Sequence, residues 1–414
     1  MTNQYTRRLR LTAATALTCL LPTLALAQSS TPNAASAPAA QPHVLYVESN
    51  LTAAGRNSIL AYDIAPDGSL HPKAGSPYLT GGTGFFDTTY ALGPFDNDQN
   101  IILSPDKRVL YAINGGSNTI AVMHVKADGS LVPFSQSPVA AHGATPVSLG
   151  LHDNTLVTAD YAINPAAPDS DIAPRLNVFD VAPNGSLDYL PYTETYLHPG
   201  ADPSQVLTTN TGPFVFTSGF PSGSVIDSYA QIPGGYLFKT GTVTPPVENG
   251  SKALVLGLWA NPHAPYVYAG LVTNNLLATY RYDEFGQLKL VGTSTDSGQG
   301  LCWLRTSHDG HYLYASNTGD QSISVFDLSN PGRPVEIQHV VAGGVGGFNQ
   351  FSLDPDENFL YVLQEENSAA SANKSNKVYA YKVDHATGRL TFLSNLTISL
   401  PVPSQTRTIG LAIR

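Results

Sequence analysis

One strand–turn–strand phrase recurs seven times along this chain. Its clearest copies are Leu103-Ser-Pro-Asp-Lys-Arg-Val-Leu-Tyr-Ala-Ile, Ser307-His-Asp-Gly-His-Tyr-Leu-Tyr-Ala and Leu353-Asp-Pro-Asp-Glu-Asn-Phe-Leu-Tyr-Val. A unit of this size cannot bury its apolar face alone, so repetition at a fixed spacing demands neighbours stacked around a shared core. Each copy carries an apolar pair in a β-rich run: Leu45-Tyr46, Leu110-Tyr111, Leu156-Val157, Phe214-Val215, Tyr266-Val267, Leu313-Tyr314 and Leu360-Tyr361. An alternating run then follows, such as Ile59-Leu60-Ala61-Tyr62 or Ile323 to Phe326, and period-2 alternation marks a half-buried strand.

Most units go on to a glycine turn: Asp67-Gly68-Ser69, Asp128-Gly129-Ser130, Asn184-Gly185-Ser186, Gly234-Gly235, Phe285-Gly286 and Thr387-Gly388. Asp-Gly and Asn-Gly supply the positive φ that tight hairpins require. Another strand precedes the apolar pair, as in Pro146 to His152. Four strands per unit and seven units of roughly 45–65 residues predict an all-β fold, a seven-bladed β-propeller of four-stranded blades. The first unit has no room for its first strand, and the chain stops on Thr408-Ile409-Gly410-Leu411-Ala412-Ile413, a first-strand pattern with nothing after it. Pairing that run with Val44 to Glu48 closes the ring and removes an open edge.

The N-terminus reads as a signal peptide over residues 1–27. Arg7, Arg8 and Arg10 precede an apolar run, and Ala25-Leu26-Ala27 is an A-x-A cleavage site. Residues 28–42 (28–41 reading QSSTPNAASAPAAQ) form a Ser/Pro/Ala-rich leader with the composition of disorder, and residues 43–414 the propeller. These features predict a periplasmic or secreted protein, with the export route (general secretion or twin-arginine) open. Removing residues 1–27 takes away three arginines and no acid, so a net charge of −10 becomes −13. That balance argues against nucleic acid and anionic lipid as partners, and no run outside the signal peptide could span a membrane. Of Cys19 and Cys302 only the second survives cleavage, so no intramolecular disulfide forms.

Chemistry is expected where the copies disagree. Three loops are long or unusual: Thr80 to Asn100, Asp160 to Arg175 and Gln364 to Lys377. In a propeller such loops gather at one mouth of the channel, where binding residues sit on a rigid scaffold. The polar residues expected there are His142, Asp160, His198, Asp202, Gln299, Asn317, Asn349, Gln350, Glu365, Glu366 and Arg407. A carboxylate, a histidine and an arginine together can activate water and hold an oxyanion, so Glu365, His142 and Arg407 are the catalytic candidates. Asp160, His198, Gln299, Asn349 and Gln350 are the substrate-binding candidates. No metal site is expected and no cofactor. Asp96-Asn-Asp-Gln-Asn100 and Asp169-Ser-Asp171 read as solvated acidic loops, and a channel Ca²⁺ is the weaker alternative.

The phrase S-P-D-x-x-x-L-Y-A, followed by an I-x-V-F/M strand and D-G-S-L, resembles the lactonase family of seven-bladed propellers, which includes 6-phosphogluconolactonases and carboxy-muconate cyclases. The likeness runs from about His43 to Arg414, and Gly143-Ala-Thr-Pro-Val-Ser148 and Gly298-Gln-Gly-Leu-Cys-Trp303 look like an exported bacterial subgroup. The resemblance implies a histidine at the entry to one inner strand, an Arg-His pair at another, and a glutamate after the following second strand. This chain has His142 several residues early, Ala201-Asp202-Pro203-Ser204-Gln205 in place of Arg-His, and Thr217-Ser218-Gly219 in place of the glutamate. Its arginine and glutamate stand in other units, at Arg407 and Glu365. The implied function is an exported, monomeric hydrolase opening a sugar-acid lactone or similar cyclic ester. A non-catalytic propeller binding a carbohydrate, peptide or cell-envelope component is the alternative.

Overall fold

The computed structural model describes residues 41–86, 97–161, 173–198, 201–219, 224–248, 251–343, 347–365, 376–403 and 406–414. The signal-peptide reading, Glu366, Asp96 and Asp169-Ser170-Asp171 fall outside them. Seven antiparallel sheets form the blades of a propeller, and among the described residues the only helices are short 3-10 turns. No helix among them is long and apolar enough to cross a membrane.

Each blade runs outward from an inner strand. In blades 2 to 7 the inner strands are Ile101–Leu103, Ala144–His152, Pro203–Thr208, Val255–Ala260, Leu301–Thr306 and Gly347–Leu353. Blade 1 takes its inner strand from the far end of the chain. Ile409–Ile413 pairs antiparallel with Val44–Glu48, matching Leu45 to Ile413 and Val47 to Leu411, so the ring closes as the repeat requires. Arg414 adds a clasp, donating to the Lys126 and Ala127 carbonyls of blade 2 and to the Gln41 side chain.

The residues that recur in the phrase join blade to blade. The Tyr46 hydroxyl donates to the Gly129 carbonyl of the next blade at 2.7 Å, Tyr111 to Gly185 at 2.9 Å, and Tyr361 to Gly68 at 2.8 Å. Each acceptor lies in the glycine turn of the neighbour. In those turns the Asp67, Asp128 or Asn184 side chain accepts from the backbone and hydroxyl of the serine two residues on, and Gly68, Gly129 and Gly185 hold φ of 86°, 80° and 92°. A side chain at Gly129 would meet Val44 of the adjacent blade at 2.4 Å. The phrase repeats because both halves of this contact must repeat. The core lies in the seams, where Leu45, Leu60, Tyr361 and Leu363 meet across blades 1 and 7.

The blades are not all plain four-stranded sheets. In blades 1, 2, 3 and 7 the outer strand is broken, and a short fifth segment returns to the third strand. In blades 4, 5 and 6 the outer strand is continuous and carries a bulge instead.

Candidate functional site

The entries to the inner strands are irregular, and this sets the site. Register slips where the inner strand meets the second strand in blades 1, 3, 4, 5, 6 and 7. A bulge breaks the two-residue alternation and re-aims side chains, and bulges are concentrated next to functional sites. In blade 7 the slip lies between Phe348 and Phe351, so Asn349 and Gln350 leave the ordinary pleat.

Below this level the channel is filled by the chain itself. Residues 97–100 cross it ahead of the blade 2 inner strand. Arg305 of blade 6 grips Asp98 through both guanidinium nitrogens, at 2.6 and 2.9 Å, while its cation lies 4.2 Å from the Trp259 ring centre. The Asp98 amide donates to Ser204 of blade 4, and Gln205 donates to Gln99 at 2.6 Å. Gln350 of blade 7 donates to the Asn97 carbonyl and, at 2.6 Å, to the Asn100 side chain, and it accepts from the Gly410 amide of blade 1 at 2.6 Å. The expectation of a solvated acidic loop is corrected here, since Asp98 is only 1% exposed. Both of its oxygens serve a guanidinium, so Asp98 offers no seat for a cation. Gln350, a binding candidate, is a tie rod of this crossing.

Above the crossing, blades 7 and 1 bring two candidates to the same mouth. Glu365 ends the second strand of blade 7, paired with Gly347, and is 2% exposed. Arg407 enters the blade 1 inner strand and is 5% exposed, its guanidinium 5.1 Å from the centre of the Phe86 ring. Asn50 fixes that entry by donating to the Arg407 carbonyl at 3.0 Å and the Phe85 carbonyl at 2.7 Å, while accepting from the Phe85 amide. The Gly410–Gln350 bond holds the two inner strands at one level.

The third catalytic candidate stands elsewhere. His142 belongs to blade 3, is exposed, and has φ of 64° in the left-handed region. Its ring stacks on Tyr189 of the blade's outer strand, 3.7 Å between centroids and 4° from parallel. Partial burial there holds its imidazole below the ordinary range. The turn that directs His142 outward brings Gly143 against Asp160, where a Cβ would lie 2.3 Å from the Asp160 carboxyl carbon.

Asp160 is fully buried. Its Oδ2 accepts from Thr158 at 2.5 Å and Asn177 at 3.0 Å, its Oδ1 has no partner, and burial pushes its carboxyl up to about 7. The same packing recurs with asparagine in other blades, Gly82 against Asn114 and Gly298 against Asn317. Asn317 donates to Ser322 and Ser324, both at 3.0 Å. His198 and Gln299 are exposed, and their backbone carbonyls take the amides of Ala201 and Gly319. Asn349 is 7% exposed and its Oδ1 has no partner.

Three functional-looking groups had escaped sequence reading. Arg305 lacks any motif, and only the fold sets it opposite Asp98. Glu48 is buried, accepts from Asn57 at 2.6 Å through Oε1, and leaves Oε2 without a partner. Its burial pushes the carboxyl well above the usual range. A signal was available for it, because the first copy puts a carboxylate directly after Leu-Tyr-Val, where Leu360-Tyr361-Val362 is followed by leucine. Thr408, wholly buried in the blade 1 entry, is the third.

Comparison with known proteins agrees with this architecture. Residues 262–407 match the family model described as Lactonase, 7-bladed beta-propeller. Over that stretch the chain is similar to the seven-bladed lactonases. The 6-phosphogluconolactonase of Bacillus subtilis (strain 168) is 24% identical over 327 residues, covering 74% of this chain and 86% of the relative. An uncharacterized protein of Staphylococcus epidermidis is 25% identical over 167 residues, 47% of its own length. Among solved structures, the periplasmic gluconolactonase of Pseudomonas aeruginosa superposes on this propeller with a TM-score of 0.65 at 18% identity, covering 89% of this chain and 99% of that one. A protein from Lactobacillus plantarum gives 0.63 at 19%, covering 90% and 99%. Identities this low speak to the fold.

Proposed function

We propose that this lactonase-type propeller is an exported, monomeric hydrolase that opens a sugar-acid lactone or similar cyclic ester at the mouth between blades 7 and 1. The observation that carries the reading is the placement of a buried carboxylate, Glu365, and a buried guanidinium, Arg407, at one mouth on adjacent blades. Glu365 takes a proton from water as the water oxygen bonds to the lactone carbonyl carbon. The electron pair displaced onto the carbonyl oxygen faces Arg407, a preorganised cation in a site shielded from solvent. Collapse of the intermediate breaks the ring C–O bond, and the proton held by Glu365 passes to the departing alkoxide. His142, stacked on Tyr189, has no part in this scheme. An unphosphorylated lactone fits the export reading, because a phosphorylated sugar lactone is a cytoplasmic metabolite.

A second reading, a propeller that binds a carbohydrate, peptide or envelope component without catalysis, draws on blade 4. At the positions where the family resemblance implies an Arg-His pair and a glutamate, Ser204 and Ser218 bond each other and the Leu256 carbonyl, and Gln205 bonds Gln99 and the Leu258 amide. Those residues are occupied in holding blades together.

The deciding measurement is hydrolysis of gluconolactone and of 6-phosphogluconolactone by purified Gln28–Arg414, with and without a chelator. Gluconolactone turnover above the spontaneous rate, indifferent to chelation and reduced about 10²–10⁴-fold in Glu365→Gln, is the expected result. Absence of turnover on either lactone selects the binding reading, and loss of turnover on chelation selects a bound cation.

A further inference from the structure

The repeat supplies its own control for polar groups at the inner-strand entries. Ile101, Val206, Leu304 and Phe351 occupy equivalent places, each paired with the residue that follows the central aromatic of its second strand. Two positions earlier stand Gln99, Ser204, Cys302 and Asn349. Gln99 accepts from Gln205, Ser204 bonds Ser218 and the Leu256 carbonyl, and Cys302 accepts from Thr318 at 2.9 Å. Asn349 is the exception. Its Oδ1 is buried and accepts from nothing.

A second exception lies beside it. Counting three positions back from Leu411, the equivalent of Ile101 in blade 1, gives Thr408; three back from Ile101 gives Asp98. Asp98 is gripped by Arg305, whereas the buried Thr408 hydroxyl has no partner. The bond between Gly410 and Gln350 sets these two entries side by side, so both orphaned groups fall in the seam that also carries Glu365 and Arg407. A buried polar atom without a partner loses its hydration and gains nothing in return, so native structures keep few of them. Two in one seam, where equivalent groups elsewhere are bonded, mark a place that a ligand completes.

We infer that Asn349 and Thr408 are hydroxyl-recognising groups of a polyhydroxy ligand, a neutral sugar lactone, seated between blades 7 and 1. The inference rests on the hydrolase reading above for the reaction, but on the two orphaned groups for the ligand's chemistry. Asn349 Oδ1 is an acceptor and the Thr408 hydroxyl can donate and accept, a set that suits sugar hydroxyls. A site that hydrogen-bonds a hydroxyl rejects the analogue lacking it, because the site's own buried polar groups are then left unpaired.

Three measurements on Asn349→Ala and Thr408→Val test this. For gluconolactone hydrolysis, KM is expected to rise about tenfold with kcat within about twofold, while δ-valerolactone, which has no hydroxyls, is hydrolysed as by the parent. Equal losses on both lactones, or none, overturn the inference and leave the hydrolase reading standing. The melting temperature of the free variants is expected to stay level or rise, since an unpartnered buried group is removed; a marked fall assigns the two residues to structure and overturns the inference. Should the parent hydrolyse neither lactone, calorimetric titration with D-glucono-δ-lactam still decides. Binding weakened about tenfold in the variants sustains the site without the reaction, and parent binding that the variants leave unchanged, or no binding at all, rejects it.

Discussion

A single side chain in this protein has a meaning set by its counterparts in other blades. Asp160 stands where Asn114 and Asn317 stand, each pressed by a glycine, and it is the copy that can ionise. Burial holds its carboxyl near 7, against an ordinary value of 3.8, so the neutral acid does the work of an amide. The sign follows directly. Between pH 4 and 7 the folded chain keeps a proton that the unfolded chain has lost, so the contribution of this group to stability falls as pH rises through that window. Asp160→Asn removes the titration. Its stability relative to the parent is expected to improve by about 1.4 kcal/mol for each pH unit of the window, and to level off above it. Urea unfolding at pH 5, 6, 7 and 8 checks this, and a difference independent of pH rejects it. The sequence reading of Asp160 as a ligand for substrate came from its place at a mouth; the carboxamide-like packing with Gly143 was invisible without the other blades superposed. His142 teaches a related lesson, because one left-handed φ turns a loop histidine from the channel to the outer strand.

At the scale of the blade, the glycines before the inner strands are explained by space. Gly298 does not lie at positive φ, yet a Cβ there would come within 2.0 Å of the Asn317 amide nitrogen. Asn317 cannot yield easily, being held by Ser322 and Ser324. Gly298→Ala is therefore expected to destabilise the protein by about 1–3 kcal/mol. In combination with Asn317→Ala most of that loss should vanish, and a double-mutant cycle by thermal unfolding reads the coupling. Additive losses would show that the glycine serves something other than Asn317. The strand pairing, the glycine turns and the closure by Ile409–Ile413 were all legible from period-2 alternation and Asp-Gly chemistry, because hydrogen-bond ladders and turn angles are local. The bulges were not, since an extra residue in a strand leaves no compositional mark.

The whole molecule depends on a contact 207 residues apart in sequence, the Asp98–Arg305 pair across the channel. Removing one partner of a buried ion pair strands the other charge. Arg305→Met is expected to destabilise by about 3–5 kcal/mol, and Asp98→Asn combined with Arg305→Met to recover most of it. Equilibrium denaturation of the three variants measures this; a double variant as unstable as the sum of the singles would mean that the pair does not act as a unit.

By itself, the sequence determined the propeller, the number of blades, the strand that closes the ring and the faces that loops would occupy, because each follows from a repeat whose members bond only to their neighbours. The tertiary structure alone decided which polar residues meet. Arg305 finds Asp98, Glu365 shares a mouth with Arg407, and Asn349 and Thr408 are left unpartnered, because ring closure brings together blades far apart in the chain and a bulge at every entry but that of blade 2 sets where the side chains point.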